Sequence, residues 1–206
     1  MSVATLILFG IYLGTAFAWR TWAHWRRTGD SGFRGVSGRP GSPEWTAGVL
    51  FVVALGAGVA GPALALVGLG PIEPLAGAAF GWVGLVLASL GIIATLRTQT
   101  DMGASWRIGV EEGERTDLVT TGAFALARNP IFAAMALTGL GLALMTPNVV
   151  ALAGFVLLIV ALELQVRVVE EPYLLSAHGQ AYREYAARVG RFVPGLGRTK
   201  SKLSTR

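Results

Sequence analysis

The chain has 206 residues, of which 53% are hydrophobic and only 14% charged, with a net charge of +5 and no cysteine. A soluble domain usually carries about a quarter charged residues, so this composition favours an integral membrane protein. The lack of cysteine excludes disulfides, thiolate metal sites and a cysteine nucleophile.

Five apolar segments approach the roughly 20 residues that a helix needs to cross a bilayer. The sequence predicts spans over about 3–19, 45–69, 75–96, 131–146 and 149–165. The stretches "GPIEP" and "TPN" between spans are typical of turns, so the last two spans should form a helical hairpin. We therefore expect an all-α, polytopic membrane protein with about five transmembrane helices.

All 17 lysines and arginines fall in three segments, 20–44, 97–130 and 163–206. Five spans place these segments on one side, and the positive-inside rule makes that side cytoplasmic and the N-terminus external. The positive net charge is then explained by basic residues that lie near the anionic lipid of the membrane surface, and no nucleic-acid partner is expected. The Ala-, Gly- and Arg-rich composition is typical of a bacterium with a high-GC genome, so we expect the bacterial inner membrane.

Two features of the N-terminal spans predict how they sit in the membrane. Trp19, Trp22 and Trp25 cluster at the cytoplasmic end of the first span, as in an interfacial aromatic belt. Two pairs of glycines have the small-xxx-small spacing that permits close helix packing, namely Gly10 with Gly14 and Gly77 with Gly81.

Two polar clusters flank the predicted hairpin and should meet at the cytoplasmic membrane surface. Arg128, Asn129 and Pro130 precede it, and Glu170 and Glu171 follow it. Membrane anchoring would explain a proline in the first helical turn and an arginine reaching the headgroups. It does not explain two carboxylates facing an anionic leaflet, which we expect to accept hydrogen bonds from a ligand.

The tail after the second cluster predicts a break at Pro172 and then an amphipathic helix through about Arg188.

The stretch "LVTTGAFALARNPIF" at 118–132 is followed, after the hairpin, by "EEPYLLSAHGQAYREYAARV" at 170–189. Together they resemble the isoprenylcysteine carboxyl methyltransferase and phospholipid methyltransferase superfamily, over about residues 97–195. The resemblance implies an integral-membrane enzyme that uses S-adenosylmethionine in a cytoplasmic cofactor cleft. It divides the chain into three N-terminal spans with a cytoplasmic loop, 1–96, and a methyltransferase core, 97–206.

The family pattern Arg-His-Pro-x-Tyr, with Asn for His in many bacterial members, corresponds here to Arg128 through Phe132. The family's cofactor-contacting glutamate falls on Glu170. The resemblance thus implies a set of cofactor-binding residues: Leu118, Val119, Phe124, Asn129, Pro130, Ile131, Phe132, Glu170, Glu171 and Tyr182.

Arg128 and Arg167 are the candidates for orienting the substrate. In the eukaryotic isoprenylcysteine enzymes an arginine lies four residues before the glutamate, but Val166 occupies that position here. Arg167 is displaced by one residue, about 100° around a helix, which disfavours a prenylcysteine substrate.

The chemistry of these residues fits methyl transfer. A carboxylate accepts charge-assisted hydrogen bonds from hydroxyls or amines, and aromatic rings stack on adenine or face a sulfonium cation. Methyl transfer depends mainly on in-line positioning and exclusion of water. A membrane-surface site suits a lipophilic or lipid acceptor, with a carboxylate, amine, hydroxyl or thiol as the methylated group.

Two alternatives remain from the sequence: a small transporter or channel, and a non-catalytic membrane protein with a degenerate methyltransferase-like core. Asn129 and Phe132, which depart from the family pattern, keep the second alternative open. No His, Asp or Glu spacing suggests a metal site.

Overall fold

The computed structural model describes residues 1–31, 35–36, 38–102 and 117–199. These residues form seven α-helices: α1 (Ser2–Leu13), α2 (Arg20–Thr28), α3 (Pro43–Leu66), α4 (Ala78–Met102), α5 (Pro130–Met145), α6 (Val149–Leu164) and α7 (Glu171–Arg188). π-helical segments, Gly14–Trp19 and Gln165–Glu170, join α1 to α2 and α6 to α7. The described chain therefore contains five continuous helices.

Four of these helices are long and apolar enough to cross a membrane, and α5 is a shorter apolar helix of 16 residues. The prediction of an all-α fold with about five spans is confirmed. The predicted limits are also close, except that the first helix continues to Thr28 and α4 to Met102. Residues 103–116, part of the predicted cytoplasmic loop 97–130, lie outside the described residues.

Helices α4 and α5 pack against each other through small residues. Gly84 and Gly91 of α4 face Gly141 and Thr138 of α5, and a Cβ on Gly84 would lie 2.5 Å from the carbonyl oxygen of Gly141. The contact therefore requires glycine, because the two backbones approach too closely for side chains. The glycine pairs predicted from spacing pack less closely: a Cβ at Gly10 or Gly14 would meet nothing within 4 Å, and one at Gly81 would meet the Met1 side chain at 3.2 Å.

The helix ends meet in two groups at opposite ends of the bundle. At one end, the Thr5 and Thr146 hydroxyls lie 2.8 Å apart, and Ile72 N donates to the carbonyl oxygen of Pro147. At the other end, Arg20 Nη2 donates to the Gln99 carbonyl oxygen at 2.9 Å. The turns predicted to be external thus share one end of the bundle, and the described basic segments share the other.

The predicted helix break at Pro172 is wrong. The helix continues through Pro172, the second residue of α7, directly after the π-helical segment. Proline lacks the backbone N–H that donates within an α-helix. Because the π turns before Pro172 already depart from the α-helical hydrogen-bond pattern, the missing donor does not interrupt the helix there. The interruption comes instead at Gly179, whose φ of 50° and ψ of −115° are not helical.

Candidate functional site

A cavity of about 350 Å³ lies at the basic end of the bundle. Leu118–Val119, Phe124 and Arg128–Phe132 line the cavity as one block, and Glu170 also lines it. The structure therefore brings together the two polar clusters from opposite ends of the hairpin. Asn129 and Glu170 line the same cavity, and both side chains are half-buried.

The turn that carries Phe124 is fixed from two sides. Its 3₁₀ helix, Gly122–Ala125, begins with a glycine at φ 60°, and Ala123 N donates to the Asp101 carboxylate of α4 at 3.2 Å. On the other side, the Tyr185 hydroxyl donates to the Phe124 carbonyl oxygen at 2.6 Å. Tyr185 also lines the cavity, so α7 packs against this wall.

Three predicted site residues do not line the cavity: Arg167, Glu171 and Tyr182. The Arg167 side chain is 56% exposed, and its Nε donates to Glu163 at 2.6 Å. Glu171 and Tyr182 instead belong to a buried network around Arg128.

This network encloses the Arg128 guanidinium, whose side chain is 1% exposed. Nη1 lies 3.0 Å from a Glu171 carboxylate oxygen and donates to the Tyr182 hydroxyl, while Nη2 donates to the Gly197 carbonyl oxygen at 2.8 Å. Arg191 donates two further hydrogen bonds to the Glu171 carboxylate, at 2.8 and 3.0 Å. This pairing raises the pKa of the Arg191 guanidinium. One carboxylate thus holds two guanidinium groups.

A turn-rich segment after α7, residues 190–199, lies against the first motif, and we call it the C-terminal strap. The Gly190 carbonyl oxygen accepts from Arg128 N at 2.8 Å. The Arg191 carbonyl oxygen accepts from both Asn129 N at 2.9 Å and Asn129 Nδ2 at 3.1 Å. Sequence reasoning missed the strap, because its glycines and proline signal turns but not the segment that the turns contact.

Sequence reasoning also missed the part of the cavity that the N-terminal spans supply. Phe17, together with Ala47, Phe51 and Leu55 of α3, lines the cavity, and we call these four residues the apolar arm. The α3 residues recur every four positions, so they share one helix face. That spacing was the available signal, but in a wholly apolar span it does not separate a cavity wall from a lipid-facing surface.

Comparisons with known proteins agree with the position of the two motifs. The sequence pattern of the phospholipid methyltransferase family matches residues 79–181. A curated relative, the nickel-cobalt-cadmium resistance protein NccN of Alcaligenes xylosoxydans xylosoxydans, is 28% identical over 122 residues. That match covers 59% of this chain and 56% of the relative, so the chain spans about half the length of that protein. No solved structure is significantly similar.

Proposed function

The chain belongs to the phospholipid methyltransferase family, and we propose that it transfers a methyl group from S-adenosylmethionine to a lipophilic acceptor at the cytoplasmic membrane face. The observation that carries the proposal is the single cavity lined by both Asn129 and Glu170. These residues lie 41 positions apart along the chain, on opposite sides of the hairpin. Such convergence of polar groups in a largely apolar cavity is typical of a small-molecule site.

The lining residues suit the proposed cofactor. The cavity of about 350 Å³ falls within the roughly 300–1,000 Å³ of ligand pockets. When bound, S-adenosylmethionine supplies an electrophilic methyl group on a positively charged sulfur. Glu170 would accept hydrogen bonds from its hydroxyl or amino groups, and Phe124 and Phe132 would stack on its adenine or face the cation. Backbone groups of Leu118 and Val119 would contact the adenine edge.

The apolar arm suits the body of the acceptor. Phe17, Phe51 and Leu55 offer aromatic and aliphatic surface but no charge. An acceptor that partitions into lipid would fill this arm and place its nucleophilic atom near the polar wall. An acceptor held in this arm would exclude water and approach from one direction, so we propose that catalysis depends mainly on positioning. A carboxylate, amine, hydroxyl or thiol could serve as the nucleophile.

The proposed orientation places the cavity in the cytoplasm, where S-adenosylmethionine is made, and the N-terminus outside. The positive-inside rule supports it, because the described basic segments share the cavity end of the bundle. Arg20 reaches Gln99 at that end, and Arg128 meets Arg191 through Glu171. We propose the bacterial inner membrane as the location and residues 97–206 as the methyltransferase core.

The other functions receive less support. Buried polar residues of the helices bond to backbone carbonyl oxygens: Thr95 and Thr138 bond one turn away, and Asn148 bonds to Gly61 of α3. They do not mark the polar path that a transporter needs. The relative NccN is named for resistance to nickel, cobalt and cadmium. However, the part of the chain that the structure describes holds no group of three metal-ligating side chains, so nothing there favours metal binding.

The test is the transfer of isotope-labelled methyl from S-adenosylmethionine to a total bacterial lipid extract, followed by mass identification of the product. The purified protein should label one lipophilic species, and Glu170→Gln should label it much less. Cofactor binding without any labelled product would support the non-catalytic alternative. No cofactor binding at all would contradict the proposal.

A further inference from the structure

The C-terminal strap lies wholly beyond residues 79–181, which the family pattern matches. Even so, it contacts both polar clusters of the cavity. We propose that the strap is a positioning element of the site, in which Arg191 orients the Asn129 amide so that its oxygen accepts a hydrogen bond from the ligand. The ligand part of this inference rests on the proposed function.

The orientation of the Asn129 amide follows from its partner. Asn129 Nδ2 lies 3.1 Å from the Arg191 carbonyl oxygen, which also accepts from Asn129 N. A carbonyl oxygen only accepts hydrogen bonds, so the amide must turn its NH₂ group toward the strap. The oxygen Oδ1 is then the polar atom that this side chain can offer to the cavity. No hydrogen bond to Oδ1 is found within the described residues.

Arg191 also ties this wall to the second cluster. Its side chain donates two hydrogen bonds to Glu171, the residue next to Glu170. Arg191 therefore holds Asn129 through its main chain and Glu171, the neighbour of Glu170, through its side chain. Movement of the strap would loosen both sides of the cavity together.

Several contacts hold the strap itself in one conformation. Arg191 N donates to the Leu196 carbonyl oxygen at 2.7 Å, and Thr199 N donates to Ala186 of α7 at 3.1 Å. Gly190 is enclosed, because a Cβ there would collide with the Val193 carbonyl oxygen and lie 2.6 Å from that of Leu196. Alanine at position 190 therefore cannot fit unless the strap shifts.

This arrangement assigns a chemistry to the ligand group beside Asn129. Oδ1 and the Glu170 carboxylate both accept hydrogen bonds, and the nearby Arg128 guanidinium is held by Glu171, Tyr182 and Gly197. A ligand hydroxyl or amine fits this wall, whereas a ligand carboxylate would meet like charge and lone pairs. We assign the wall to a donor group of the cofactor.

The first experiment compares full-length wild type, Gly190→Ala and Gly56→Ala in detergent micelles. Gly56 lies in α3, and a Cβ there would meet nothing within 4 Å, so it is the matched glycine control. Isothermal titration with S-adenosylmethionine should show a Kd about tenfold higher for Gly190→Ala, the scale of losing one oriented hydrogen bond. Gly56→Ala should bind like wild type.

The second experiment replaces Asn129. Histidine can donate from one ring nitrogen to Arg191 and accept at the other, so Asn129→His should retain cofactor affinity. Asn129→Asp has no donor for the strap and should lose affinity about as much as Gly190→Ala. A residue with only a packing role would not show this rescue by histidine. Equal affinities of the aspartate and histidine variants would overturn the proposal.

Hydrogen exchange without any ligand separates this inference from the proposed function. In Gly190→Ala the amides of Arg128 and Asn129 should exchange faster than in wild type, while those of α4 and α5 stay protected. Unchanged exchange at Arg128 and Asn129 would overturn the positioning role, whatever the protein binds. A wild type that does not bind S-adenosylmethionine, yet shows the faster exchange in the variant, would contradict the proposed function and leave the positioning of Asn129 supported.

Discussion

The carboxylate of Glu171 lies 3.0 Å from the guanidinium of Arg128, and this pair joins the two motifs across the hairpin. A snorkelling arginine would extend to the lipid headgroups, but this guanidinium is enclosed by protein. Two adjacent glutamates therefore have different surroundings: Glu170 lines the cavity, and Glu171 holds Arg128 and Arg191.

Loss of the Glu171 carboxylate should destabilise the fold. Glu171→Ala leaves the buried Arg128 charge without its partner, which costs about 3–5 kcal/mol in unfolding free energy for a buried pair. The matched control is Glu163→Ala, which removes an exposed Glu–Arg pair and should cost about 0–1 kcal/mol. Chemical denaturation of the two variants in the same detergent measures the difference. Equal losses would show that the Arg128 network does not hold the fold.

Loss of the Glu170 carboxylate should instead affect the cofactor. We expect Glu170→Gln to weaken S-adenosylmethionine binding by about 1.5–3 kcal/mol, the scale of a hydrogen bond to a charged group. Calorimetric titration measures the affinity, and a thermal melt without ligand checks that folding is intact. If the folded variant binds as tightly as wild type, Glu170 does not contact the cofactor.

The spans and their grouping were predictable because apolar run length and basic residues are local features of the sequence. The first motif was predictable as a unit for a similar reason. Residues 128–132 are consecutive at the start of α5. When one of them lines the cavity, the others therefore lie close to it as well. The family resemblance then supplied the association of this motif with the second one.

Helical periodicity predicts that Glu170 and Glu171 face different directions, since adjacent residues lie about 100° apart around a helix, but it does not say which of the two faces the cavity. The two residues lie where the π-helical segment Gln165–Glu170 gives way to α7, and a π turn changes which side of the helix each later residue faces. Of the two arginines that Glu171 holds, Arg191 was also hidden. Arg191 is 20 residues away in a strap whose sequence indicates only turns.

The glycine contact between α4 and α5 should be sensitive to a single methyl group. A Cβ at Gly141 would collide with the backbone N of Ala88 and lie 2.6 Å from the Gly84 carbonyl oxygen. Because backbone cannot move aside as a flexible side chain can, Gly141→Ala should cost about 1–3 kcal/mol of stability. Gly10→Ala, with open space around it, is the control. Thermal stability in detergent tests this, and equal stability of the two variants would contradict such close packing.

The topology predicts an external N-terminus and a cytoplasmic C-terminus. A reporter that is active only in the cytoplasm should work when fused after Arg206, and one that is active only in the periplasm should not. The reverse result should hold for fusions in the loop between α3 and α4, at about Gly70. A periplasmic C-terminus would overturn the orientation and with it the cytoplasmic location of the cavity.

A substitution in the apolar arm should lower methyl transfer to the acceptor without changing the affinity for the cofactor. Ala47 is 1% exposed and lines the arm on the same α3 face as Phe51 and Leu55. Ala47→Leu would fill the arm with a branched side chain while leaving the polar wall unchanged. We therefore expect kcat/KM for the labelled lipophilic acceptor to fall about ten- to hundredfold, the scale on which apolar pockets discriminate small differences in size. The affinity for S-adenosylmethionine should stay as in wild type.

Val53→Leu is the control for this substitution, because Val53 lies on the same helix, is 49% exposed and does not line the cavity. It should leave both acceptor turnover and cofactor affinity unchanged. Methyl-transfer rates at saturating cofactor, together with calorimetric titrations, measure the two effects separately. If Ala47→Leu weakened cofactor binding and left acceptor turnover per bound cofactor unchanged, the arm would belong to the cofactor, and the acceptor would have to approach from another side.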